Sequence, residues 1–125
     1  MIKNILLIGT GGFLGSVARY FVSRLNLAPV SVSIPVGTLL VNITGSLLIG
    51  LLMGLSERSA IMTTEARLFL MTGLCGGFTT FSSFTMENLT MLHNGQFLPI
   101  ILYTALSIVL GFVAVWLGYA IINLI

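Results

Sequence analysis

From its first residues the chain alternates long apolar runs with brief polar interruptions, never single apolar with single polar positions. The runs cover residues 5–25, 35–55, 68–92 and 98–122, and each reaches the about 20 residues a helix needs to cross hydrocarbon. Strands of a membrane barrel would be shorter and would repeat with period 2. The pattern therefore predicts an all-α membrane protein, one transmembrane domain over residues 1–125 with four transmembrane helices. The connections are short: "NLAPVSVSI" with Pro29, "SERSAIMTTEAR", and "HNGQF" ahead of Pro99. Pro35 opens the second helix, where a missing N–H costs nothing. Trp116 and Tyr119 fall in the last turns of the fourth, as an interfacial aromatic belt requires. Lys3 before an apolar run imitates a signal peptide, but the run is too long, lacks a small-x-small cleavage site, and precedes three more spans.

Composition removes whole classes of function. Of 125 residues, 57% are hydrophobic and 6% charged, against about 25% charged in soluble domains. Such a surface needs lipid as its solvent, so the bilayer is the first expected partner. The net charge of +2 comes from scattered groups. No basic patch forms, and nucleic acid is not an expected partner. Cys75 stands alone, which excludes an intrachain disulfide. Cys75 and His93 together are too few for a zinc site. No nucleophile–base pair or metal-ligand set argues for an enzyme, and no organic cofactor is expected.

The charges also bear on orientation. With four spans, the N-terminus, the 56–67 connection and the C-terminus share a side, which carries Lys3, Arg58 and Arg67. Arg24 lies on the other side, with Arg19 nearby inside the first helix. This is a feeble bias under the positive-inside rule. A chain so undecided is expected to insert both ways and to assemble as an antiparallel pair. Four short helices barely enclose a polar pathway, and a symmetric dimer is the commonest solution.

Polar residues inside the spans carry the candidate chemistry. In the second helix Thr38, Asn42, Ser46, Gly50 and Gly54 recur every four residues along one stripe. Ser46, Gly50 and Gly54 read as close helix packing. Asn42, an amide near mid-span, needs partners or water and reads as lining a pathway. In the first helix the Gly9 and Gly11 spacing fails as a dinucleotide loop, because Leu14 takes the third glycine position. Arg19 is expected either to anchor the helix or to draw an anion into a vestibule. Glu87, the other deep charge, has three open readings: pairing with Arg19, closing a hydrogen-bond network, or sitting at a pore mouth. Tyr103 and Ser107 share one face of the fourth helix, as packing residues or as a donor track.

The third span interrupts itself with "GGFTTFSSFT" at 76–85. Gly76 and Gly77 have low helix propensity, so a break is expected there. A break frees backbone groups, tolerated in a membrane only when buried in protein or facing a cavity. Thr79, Thr80, Ser82, Ser83 and Thr85 are placed to satisfy some of them. Phe81 and Phe84 share a face; the bland reading is packing, the sharper one an edge-on ring whose positive rim attracts an anion.

The segments "GxxxxxARY" in the first helix, "PxGTLxVNxxGS" in the second and "GxxGGFTTFSSFTxE" in the third resemble the Fluc (CrcB) family of bacterial fluoride channels, across essentially the whole chain. The third motif is the most specific. The resemblance implies an antiparallel dual-topology homodimer with two ion pathways, in the bacterial inner membrane, exporting fluoride passively. It implies a central structural sodium ion held by the backbone carbonyls of Gly76 and Thr79. By motif position the pathway would include Phe81, Phe84 and Asn42, with Tyr103 and Ser107 as a polar track. The hydroxyls of Thr38, Thr80 and Ser83 count among its donors. The track often continues with a hydroxyl one turn further on, where this chain has Gly111. Two other readings remain at this stage. A small multidrug-type exporter is also built of four helices, but that class carries a carboxylate in its first helix, where this chain has Arg19. A non-catalytic membrane subunit would explain the packing stripes and leave the clustered hydroxyls and Asn42 unexplained.

Overall fold

The computed structural model describes residues 1–24, 34–58 and 60–125. Most of the expected first connection, with Pro29 and the end of the expected first span, lies outside the described residues. Helix α1 spans Ile2–Ser23, α2 Val36–Arg58, and α6 Phe97–Leu124. These three are long and apolar enough to cross a membrane. Between α2 and α6 the third span is segmented: α3 (Thr64–Arg67), a wide π-helical stretch (Leu68–Cys75), α4 (Gly76–Phe78) and, after a break, α5 (Phe81–His93). No strand forms among the described residues. The multi-pass, all-helical architecture follows from hydrophobic length, because in lipid only a helix satisfies its backbone within one segment.

The helix ends carry local signals. Thr63 caps α3, its side chain accepting a hydrogen bond from the Ala66 N–H at 3.1 Å. Helix α5 closes through Gly95, whose φ of 71° places it in the left-handed region. There the Gln96 N–H reaches back to the Met91 carbonyl at 2.9 Å, and glycine adopts that conformation without a Cβ penalty.

Packing is backbone to backbone. Helix α2 lies along α6, and α1 lies along the π-helical stretch and α4. A Cβ on Gly50 would run into the Val115 carbonyl oxygen, and one on Gly118 into the Leu47 carbonyl oxygen. Small residues permit this approach, and in lipid close van der Waals contact does much of the work of association. Gly50→Ala is expected to force α2 and α6 apart and to cost about 1–3 kcal/mol. Thermal unfolding in detergent measures this, and an unchanged midpoint would contradict the contact.

One end of the bundle gathers five of the eight charged residues. Lys3 Nζ pairs with Glu65 Oε1 at 3.2 Å, joining the start of α1 to the start of α3. Arg67 donates to the Ser56 carbonyl at 3.2 Å, near the end of α2. Arg58 donates to the Ile122 carbonyl near the end of α6, and the Tyr119 hydroxyl donates to Glu57 Oε2 at 2.5 Å. Cations near a helix C-terminus meet carbonyls that lack helical partners. A backbone hydrogen bond, and then Lys3, hold the Glu65 carboxyl below its ordinary value. Any stability from this depressed group is present above its ordinary pKa and fades as pH falls through the lowered one. At a site this exposed that contribution is small. Trp116 is 65% exposed.

Candidate functional site

The break falls two residues later than the glycines. Gly76 and Gly77 remain helical, and the chain turns extended at Thr79 (φ −79°, ψ 157°) and Thr80 (φ −150°, ψ 115°). Gly77 serves packing: a Cβ there would lie 2.5 Å from the Gly12 carbonyl oxygen of α1. The extended residues are clamped from α2. The Thr80 N–H donates to Asn42 Oδ1 at 2.8 Å, and Asn42 Nδ2 donates to the Thr80 carbonyl at 3.1 Å. The amide thus pairs with both polar groups of one residue, as a neighbouring strand would, and its orientation follows from which group donates.

Hydroxyls complete the accounting. The Thr80 side chain caps α5, accepting from the Ser83 N–H at 3.1 Å. Thr79 Oγ1 donates to the Cys75 carbonyl at 2.9 Å, and Thr85 Oγ1 donates to the Ser82 carbonyl at 3.0 Å. In an unbroken helix the Gly76 carbonyl would accept from the Thr80 N–H, and the Thr79 carbonyl from the Ser83 N–H. Both donors are diverted, to Asn42 and to Thr80 Oγ1. Those two carbonyls therefore lose their usual helical partners.

About two helical turns beyond the break, Glu87 joins three helices. Thr38 Oγ1 of α2 donates to Glu87 Oε1 at 2.6 Å, and the Tyr103 hydroxyl of α6 donates to Glu87 Oε2 at 2.7 Å. Tyr103 is fully buried and Thr38 nearly so. Glu87 thus closes a hydrogen-bond network and does not pair with Arg19. Arg19 is half-buried and makes no ion pair among the described residues, its Nε lacking a hydrogen-bond partner. The hydroxyl protons of Thr38 and Tyr103 are thus engaged with Glu87. The Tyr103 ring stacks obliquely on Phe84, with centroids 5.0 Å apart, and Phe84 lies 5.8 Å from Phe81.

Beside the break an open cleft of about 420 Å³ runs between α2, the third span and α6. It brings together Asn42, Gly76, Thr79, Thr80, Phe81, Phe84 and Ser107. Thr38, Ser83, Tyr103, Arg19 and Glu87 are not among its lining residues. Ser107 Oγ is buried without a hydrogen-bond partner. Six lining residues lay outside the sequence expectation: Gly45, Ser46, Ile49, Met71, Cys75 and Ile108. Ser46 carried a usable signal, one turn beyond Asn42 on the same stripe. Gly45 admits the third span, because a Cβ there would collide with the Thr79 methyl. Met71 and Cys75 reach the cleft through the π-helical winding, which nothing in their local sequence announces.

The cleft thus combines a broken intramembrane helix, an amide clamp, an unpartnered hydroxyl and paired phenyl rings. It holds neutral donors of the kind that replace an anion's hydration. Comparison with known proteins points the same way. The family described as CrcB-like protein, Camphor Resistance (CrcB), matches residues 6–119. A Chlorobium luteolum protein named Fluoride-specific ion channel FluC is 52% identical over 115 residues, covering 92% of this chain and 88% of its own. Proteins of the same name from Flavobacterium psychrophilum and Methanococcus maripaludis are 44% and 47% identical, covering 93% and 87% of this chain and 94% and 84% of their own. With the match running almost from end to end, the chain belongs to the CrcB family.

Proposed function

We propose that the chain is a passive, fluoride-selective channel that exports fluoride across the bacterial cytoplasmic membrane as an antiparallel homodimer. The observation that carries this reading is the cleft where the Thr79–Thr80 break meets Asn42, Ser107 and the Phe81–Phe84 pair, in a chain whose relatives carry the fluoride-channel name. Fluoride is small and tightly hydrated, so its path must offer donors in place of water. Asn42 Nδ2 has two hydrogens and spends one on Thr80. Ser107 Oγ is uncommitted. The rims of Phe81 and Phe84 are weakly positive. None of these is a full charge, which favours binding weak enough for the ion to leave.

Pairing follows from solvation. A cleft with polar walls cannot face lipid cheaply, and Phe81 is 77% exposed on the single chain. A second copy would cover both. An antiparallel partner fits the weak positive bias between the two ends of the bundle. The freed carbonyls of Gly76 and Thr79 supply hard oxygen donors at the break, the type of group that coordinates sodium in unwound membrane helices. Two carbonyls from each copy would hold the ion, which when bound adds positive potential at mid-membrane.

The test is reconstitution in liposomes with a fluoride electrode and chloride as control; absence of fluoride efflux would end the reading. Phe81→Ile and Phe84→Ile are each expected to lower efflux roughly tenfold, the scale of one aromatic interaction, with the dimer intact by size exclusion. Unchanged efflux would remove the rings from the pathway. Exchanging sodium for a large organic cation is expected to weaken assembly or efflux, and indifference would count against the carbonyl site.

A further inference from the structure

We infer that Ser46 is a further anion-pathway donor, which extends the donor row from Asn42 across the open surface of α6 at Gly111. The inference rests on the channel reading above and adds a residue to it. Hydroxyls on membrane helices commonly satisfy themselves by turning back to a carbonyl of the preceding turn. Thr10, Ser23, Thr85 and Thr90 do so here. Ser46 and Ser107 do not. Both line the cleft, one from α2 and one from α6.

The geometry opposite Ser46 is specific. A Cβ built on Gly111 would meet nothing within 4 Å except Ser46 Oγ, at 3.8 Å. The tight glycines on the same pair of helices differ: Gly50 and Gly118 each press on the facing backbone. Gly111 therefore does not serve close packing. It leaves room for a Cβ on α6, one turn beyond Ser107, and the Ser46 hydroxyl borders that room. Asn42 and Ser46 are one turn apart on α2, and Ser107 and Gly111 one turn apart on α6. An anion leaving the level of Asn42 and Ser107 thus meets the Ser46 hydroxyl at the next turn, where α6 offers no side chain.

The test compares wild type, Ser46→Ala and the double variant Ser46→Ala with Gly111→Ser in liposomes. Two quantities are read separately: the fraction of vesicles that release fluoride, and the release rate of those that do. Misfolding lowers the first, whereas a missing donor lowers the second. Ser46→Ala is expected to slow release by about 3- to 10-fold, the scale of one neutral hydrogen bond, with the active fraction unchanged. Gly111→Ser should recover most of that loss by offering a hydroxyl from the opposite wall. If Ser46→Ala collapses the active fraction, Ser46→Cys takes its place, since it keeps the shape and exchanges a strong donor for a weak one. A rate equal to wild type, or a double variant as slow as the single, overturns the inference. A wild type that carries no fluoride fails the channel reading instead.

Discussion

Asn42→Ala is expected to abolish fluoride efflux and to destabilise the protein by about 1–3 kcal/mol. The magnitude follows from the backbone donor left behind. One side chain holds the Thr80 N–H at 2.8 Å and the Thr80 carbonyl at 3.1 Å. As the cap of α5 the carbonyl keeps a helical partner, whereas the stranded N–H costs about 1–3 kcal/mol. With no clamp, the Thr80 N–H regains the option of bonding the Gly76 carbonyl, and the break is free to close into continuous helix. The Gly76 and Thr79 carbonyls would then be spent, and the walls of the cleft would shift with them. Asn42→Asp is the informative companion. It keeps the acceptor for the Thr80 N–H and loses the donor to the Thr80 carbonyl, so it should fall between wild type and alanine. Detergent melting and liposome efflux measure both; an Asn42→Ala protein that melts and conducts like wild type would show that the break holds itself.

Glu87→Leu is expected to be the second most damaging change to efflux, lowering it by more than about a hundredfold and costing about 2–6 kcal/mol. The carboxyl receives one hydroxyl from α2 and one from α6 while sitting on α5. Removing it orphans Thr38 and Tyr103 together, at about 1–3 kcal/mol for each stranded hydroxyl. The consequence reaches the cleft because Tyr103 also sets Phe84, 5.0 Å away ring to ring. Tyr103→Phe keeps the ring and removes one donor, so it should cost about 1 kcal/mol and preserve most efflux. A double-mutant cycle between Thr38→Val and Tyr103→Phe is expected to show coupling, since the two share one partner. Strict additivity there, or a stable and active Glu87→Leu protein, would contradict the network.

Much of the architecture was legible because it depends on quantities local to the chain. Three of the expected spans appear as α1, α2 and α6, with ends displaced by up to three residues where those ends are described. Apolar run length governs that match, and hydrophobic length needs no knowledge of neighbours. The third span was legible in place but not in form. Its expected start at residue 68 gave way to Thr64, because the capped turn at Thr63 extends the helix into polar sequence. Its glycines were read as the break, yet they stay helical, and Gly77 is required for contact with α1. Low helix propensity marks where a helix can be interrupted; packing decides whether it is.

The site divides along the same line. The residue types were readable: an amide at mid-span, hydroxyls after the glycines, two phenyl rings three apart, a deep carboxylate. What each does was not. Asn42 meets Thr80 across 38 residues of sequence, and Thr38 meets Glu87 across 49. No local pattern encodes which acceptor a donor will find at that separation. The sequence by itself therefore determined the solvent, the number of spans and the neighbourhood of the interruption, all set by free energies of transfer summed over short stretches. Only the tertiary structure decided where the helix opens, which carbonyls it frees and which hydroxyls stay uncommitted. Those outcomes turn on a competition between a helical hydrogen bond and a side chain brought in from another helix.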